Sequence, residues 1–249
     1  MKSWSIFSHS IGMVLRNFQQ AVQIGLVPLL IAFGVGAAVL ILAGKPLDSL
    51  GGGQITTETA GGLGLVTVAL AVVLCMLWIV VSWHRFVLLE EYPQGWVPPF
   101  RFDRILSYLG HGAMIVILSL FAIIPVGLVV GMAAASGLQM LIAIVVAAAS
   151  IAMGITMYRL LPILPAAAIG VPLKLKEAWA ATEGANGTMF GLCVIVFLFG
   201  MLVQLASVPV AMVPVLGPMV SFAASLVVSL VNVSVMTTLY GHYVEGRPV

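Results

Sequence analysis

Charge is what this sequence has least of. Of its 249 residues only 10 are Lys or Arg and 8 are Asp or Glu, against 62% hydrophobic residues. Soluble domains carry roughly a quarter charged residues, so there is no polar surface here to cover a soluble core. Cysteine is nearly absent too. Cys75 and Cys193 both fall inside apolar runs, with no CxxC and no metal-ligand spacing, and read as packing residues. His9, His84, His111 and His242 are dispersed, where zinc or haem would want short or convergent ligand spacings, so no metal site and no cofactor is expected. Nucleophile signatures are missing, and the GGGQ at 51–54 lacks the Lys-Ser/Thr of a phosphate loop. The sequence therefore points away from an enzyme. It also shows no clustered basic face of the kind that nucleic acid requires.

What is present is a series of continuously apolar runs. Runs of about twenty residues cross a hydrocarbon core as helices, because lipid offers backbone N–H and C=O groups no partner. A transmembrane barrel would show short alternating segments instead. The fold class is all-α: a polytopic membrane protein, one integral domain over 1–249, with six transmembrane helices at about 21–43, 65–86, 105–132, 138–161, 187–207 and 220–243. Pro28 and Pro125 lie inside spans, the second as a candidate kink. Between the spans, 44–64 reads as a Gly/Thr-rich loop, 133–137 as a tight turn, and 162–176 as a connector leading into a short polar helix at 177–183. Pro209, Pro214 and Pro218 mark a proline-broken turn. Ahead of the first span, Phe7, Ile11, Val14 and Phe18 recur at helical spacing opposite Ser5, His9, Gly12, Arg16 and Gln19. This predicts an amphipathic helix over 1–19 lying in the membrane interface, with Trp4 at headgroup depth.

The few charges are distributed with a strong bias. Lys2, Arg16, Arg85, Arg101, Arg104, Arg159, Lys174, Lys176 and Arg247 fall on one side of the predicted membrane, and Lys45 alone on the other. The positive-inside rule then places both termini in the cytoplasm. The densest polar stretch is Trp83–Arg104, WHRFVLLEEYPQGWVPPFRFDR, on that same side. Displacing the chain by 74 residues lays Arg85 on Arg159, Pro98 on Pro172, Asp103 on Glu177 and Gly110 on Gly184. The expected unit is an interfacial helix plus a helix pair, used three times.

No ionisable side chain falls near the middle of any span, which argues against a proton relay or an ion path. Two sets of residues remain as candidates. Arg85, Arg101, Arg104, Arg159, Lys174 and Lys176 form a basic belt suited to a partner protein or to anionic lipid headgroups, and orienting the spans also requires such a belt. Ser221, Ser225, Ser229 and Asn232 form a polar stripe on the sixth span. It either packs against a neighbouring helix, the favoured reading, or lines a path for a solute or lipid. Gly127 with Gly131, and Gly187 with Gly191, read as further packing faces.

EAWAATEGANG with PLKL ahead of it, and WHRFVLLEE followed by a Pro-rich connector, resemble uncharacterised bacterial inner-membrane proteins. The chain is similar to the YciC-like family and to the membrane domain attached to some glycerophosphodiester phosphodiesterases. The resemblance implies a six-span protein of the bacterial inner membrane, connected with envelope lipids, and carries over no catalytic residue. The expected function is non-enzymatic: a scaffold or accessory subunit of a larger membrane complex, with membrane lipids and other membrane proteins as partners. The alternative is a lipid-handling or small-molecule transporter.

Overall fold

The computed structural model describes residues 2–45, 57–211, 213 and 216–249. Among these there is no strand. The helices are α1 (Lys2–Arg16), α2 (Phe18–Leu42), α3 (Thr57–Leu89), α4 (Phe102–Ala135), α5 (Gln139–Leu160), α6 (Ile163–Ile169), α7 (Leu175–Ala181), α8 (Asn186–Ala211) and α9 (Leu216–Tyr243). Among the described residues, six helical segments are long and apolar enough to cross a membrane: Phe18–Leu42, Gly61–Leu89, Phe102–Ala135, Gln139–Ile169, Asn186–Val210 and Val220–Tyr243. The chain is a multi-pass membrane protein, and each expected span has its helix.

The departures lie in the connections. The expected outer loop falls largely on 46–56, outside the described residues. From Thr57 the chain is already helical, with a bend at Gly61, whose φ of 69° a glycine adopts without strain. Pro28, Pro125 and Pro209 all sit within continuous helices, and Pro218 lies in the first turn of α9. Pro214 is outside the described residues. The tight turn is present, closed by Gly137 at φ 69°. The expected connector at 162–176 holds a helix of its own. Pro162 has no N–H to extend α5 and stops it at Leu160; the chain then re-forms as α6, ended by Gly170 at φ 89°. The polar helix after it runs Leu175–Ala181 rather than 177–183.

α1 is amphipathic, but its buried face is turned from the expected one. Ile6, Phe7, Ser10, Met13 and Val14 are buried, Ile11 is half-buried, and Phe18 is exposed and belongs to α2. Trp4 is exposed. A single residue, Asn17, separates α1 from α2, its side-chain amide donating to the Met13 carbonyl at 2.8 Å. The apolar face of α1 packs across α8 and α9, where Phe7 meets Phe199 edge-on at 5.4 Å.

The spans form three helix pairs, α2 with α3, α4 with α5, and α8 with α9, and α6 wedges among α3, α4 and α9. Ala166, Ala167 and Ala168 of α6 are completely buried, small enough to let three long helices close around a short one. Arg159 at the end of α5, Thr182 and the start of α8 close the same end of the bundle. α2 buries residues along its whole length, whereas α4 is buried mainly at Ile105, Tyr108 and Ile115, and α5 only at Arg159 and Leu160. The packed core therefore gathers at the basic end. The opposite halves of these spans are apolar all round, and in lipid such surfaces have no hydrophobic drive to close on one another.

Candidate functional site

Polar chemistry is concentrated where the core is tightest, in three groups at the basic end. The first is an ion-pair knot. α3 ends at Leu89, and Glu90 turns the chain sharply through φ 54°, a conformation that non-glycine residues adopt at a cost. This folds Glu91 back onto Arg85, whose Nε and Nη2 each lie 2.7 Å from Oε2, while Arg101 Nη2 reaches Oε1 at 2.6 Å. Burial raises the Glu91 carboxyl, but the hydrogen bonds and charges of Arg101 and Arg85 outweigh it and hold the group below its ordinary value. The Arg85 Nη1 also donates to the Ala168 carbonyl at the end of α6, at 3.3 Å. Nearby, Arg104 pairs with Asp103 and lies directly over Gly170. Arg85 thus ties down the end of α6, Arg104 lies against it, and Arg101 shares a carboxylate with Arg85.

The second group is a row of hydroxyls on α9. Ser234, Thr237 and Thr238 are buried and face the bundle. Ser234 accepts from the Trp83 indole at 2.9 Å, Thr237 meets His84 Nδ1 at 2.8 Å, and Thr238 meets Ser10 of α1 at 2.9 Å. His84 also stacks on Tyr108, and its Nε2 is buried without a partner among the described residues. The other histidines stand apart. His111 and His242 bond backbone carbonyls of their own segments, and no group of three or more His, Cys, Asp or Glu that could hold a metal occurs among the described residues.

The third group is built on Arg159. Its side chain leaves the last turn of α5 and is nearly covered, at 6% exposure. Nε donates to the Thr182 hydroxyl at 3.1 Å, Nη1 to the Asn186 side-chain oxygen at 3.2 Å, and Nη2 to the Trp179 carbonyl at 2.7 Å. The guanidinium carbon lies 3.6 Å from the Trp179 ring centroid, a cation–π stack. Among the described residues no carboxylate comes within 4.0 Å of it. Buried charges are ordinarily paired, so this arginine stands apart from Arg85 and Arg104. It faces an open cleft of about 620 Å³ whose lining includes Lys176, Trp179, Glu183, Gly184 and Asn186. α7 forms one wall, its first turn fixed by the Lys174 backbone N–H donating to the Glu177 carboxylate at 2.9 Å. Lys174 and Lys176 are exposed.

The predicted belt therefore divides: Arg85, Arg101 and Arg104 are held by carboxylates of the chain, while Arg159 and Lys176 share a cleft with Lys174 beside it. The predicted stripe on the last span is largely uncovered by the chain's own helices. Ser225 and Ser229 are exposed and Ser221 and Asn232 half-buried, and the Ser225 hydroxyl donates to the Ser221 carbonyl of its own helix. The hydroxyls that do pack, at 234, 237 and 238, come just after the stripe and were missed. Their spacing of three and four residues was the available signal. Of the predicted glycine faces, a side chain added at Gly127, Gly131 or Gly187 would meet no other helix within 4 Å, whereas one at Gly191 would run into Ser3 of α1. An additional close approach joins Gly154 of α5 to the Cys193 sulfur of α8.

Comparison with protein-family models, with curated proteins and with solved structures finds no match to this chain.

Proposed function

We propose that this multi-pass protein is non-enzymatic and works by association, as a scaffold or accessory subunit of a larger membrane complex. The observation that carries the reading is the outward face of α9. Ser225 and Ser229 stand exposed on the same helix face as Phe222, on the part of the helix that its own bundle leaves uncovered. Small hydroxyl residues on a lipid-facing surface suit close approach by a second membrane helix, which they meet through tight packing and interhelical hydrogen bonds. Cysteine placed at Ser225 or Ser229 should crosslink in native membranes to a partner that also remains bound, in fixed stoichiometry, through mild-detergent purification. A chain that purifies alone and gives no crosslink at either position overturns the reading.

We further propose that the basic end faces the cytoplasm of a bacterial inner membrane, on the strength of the nine-to-one bias of Lys and Arg. Lys45→Cys should then react with an impermeant thiol reagent added to intact spheroplasts, and Lys174→Cys only after lysis; the reverse pattern inverts the topology. A lipid-handling role is the second reading, and the Arg159 cleft favours it.

A further inference from the structure

We propose that the Arg159 cleft is a binding site for the phosphodiester of an anionic phospholipid headgroup. The proposal does not depend on the scaffold reading. Three features converge on it. A guanidinium has five N–H groups. Among the described residues Arg159 commits one from each nitrogen, so one on Nη1 and one on Nη2 remain for a ligand. Its stack on Trp179 and its three acceptors fix the plane of the group in advance, which suits two-pronged recognition of phosphate oxygens.

The cleft also receives the start of α8. Asn186 opens a helix of 26 residues, and its first N–H groups, beside Gly184 and Asn186 on the cleft wall, have no intrahelical acceptor. Such an end favours an anion, and beside it the buried Arg159 has no carboxylate within 4.0 Å among the described residues.

Charge and surroundings select the class of anion. The lining carries Arg159 and Lys176 against Glu183, a net charge of +1, which matches a singly charged phosphodiester. Leu160 and Leu175 line the same cleft, and the exposed Phe190 continues from it along the apolar surface of α8. A lipid whose phosphate sits on Arg159 can lay its acyl chains along that surface. A free phosphate has no use for it.

The test uses the full chain in phosphatidylcholine nanodiscs, titrated with phosphatidylglycerol and followed by native mass spectrometry. One phosphatidylglycerol should be retained in preference to phosphatidylcholine. Arg159→Gln should weaken that preference about tenfold, the loss of a charge-assisted contact. Lys176→Gln should weaken it by a smaller factor, and Arg101→Gln, on the ion-pair knot, should leave it unchanged. Lys176 is exposed and makes no side-chain hydrogen bond among the described residues, so its variant decides the matter if Arg159→Gln fails to fold. Equal retention of the two lipids, or a folded Lys176→Gln with unaltered preference, overturns the proposal. Displacement of the lipid by inorganic phosphate at comparable concentration shows a free-anion site and overturns the lipid assignment.

Discussion

Thr237 determines which ring nitrogen of His84 carries the proton. The Thr237 hydroxyl has one hydrogen, and it donates that hydrogen to the Val233 carbonyl at 2.9 Å. The 2.8 Å contact between Thr237 Oγ1 and His84 Nδ1 must then be donated by the histidine. Nε2 is left as a bare acceptor, completely buried and unpartnered among the described residues. Nitrogen NMR on histidine-labelled protein should report the Nδ1–H tautomer for His84. Thr237→Val removes the acceptor and leaves both ring nitrogens unpaired, for an expected loss of about 1–3 kcal/mol in unfolding stability. Thr237→Ser keeps the contact and should recover most of that loss.

Gly170 ends α6 at φ 89°, a conformation unfavourable for alanine. Gly170→Ala should cost roughly 1–2 kcal/mol of unfolding stability from the backbone conformation. The Arg104 guanidinium, which a Cβ there would meet, is the exposed end of a flexible side chain and can swing aside, so Arg104→Ala should leave that cost unchanged. Thermal unfolding of the four proteins measures it; a larger loss that Arg104→Ala relieves would show that the guanidinium is fixed over Gly170.

Ser10 and Thr238 join α1 to the last span through a single buried contact of 2.9 Å. Hydrogen bonds between helices of membrane proteins average about 0.6 kcal/mol in double-mutant cycles. A cycle of Ser10→Ala and Thr238→Ala should return a coupling of that size. A value near zero would mean that α1 is held by Ile6, Phe7, Met13 and Val14 together with the Ser3 hydroxyl, which donates to the Thr188 carbonyl of α8 at 3.1 Å.

Acid should loosen the Glu91 knot. The carboxyl is held below its ordinary value near 4.5, so in the folded protein it stays ionised where the unfolded chain would take up a proton. Its contribution is fully present above the unfolded value and is lost as pH falls through the folded one. Because Glu91 is a quarter exposed and Arg101 more so, the gain is small, about 1 kcal/mol or less. Glu91→Gln should flatten the decline in melting temperature between neutral pH and acid, and should leave α6 easier to exchange with deuterium. An unchanged acid profile would assign the decline to other carboxylates.

Much of this was legible in the sequence. The six spans announce themselves because lipid imposes one rule on the backbone and a minimum length on each apolar run. Phe102–Ala135 and Asn186–Val210 lie within a few residues of where the runs place them. The bias of charge is equally plain. α6 was not legible, because PILPAAAI has the prolines of a connector and the small residues of nothing in particular. Its helix exists because three long helices surround it. The apolar spacing of α1 carries on to Phe18 because the break at Asn17 has no signal in the sequence, and the burial of Ser10 shows only once Thr238 is found opposite it.

Composition and hydropathy settle the class of the molecule, the number of its spans, and the end at which its cations gather. Those depend on hydropathy and chain length, which are local. Which cations are already used is a property of the folded chain. Arg85 and Arg159 end their spans in the same way and correspond across the 74-residue displacement. Glu91 folds back to neutralise the first, whereas the second is buried on Trp179 with two N–H groups to spare. The difference is one of distance between residues far apart in the chain, and distance is set by packing.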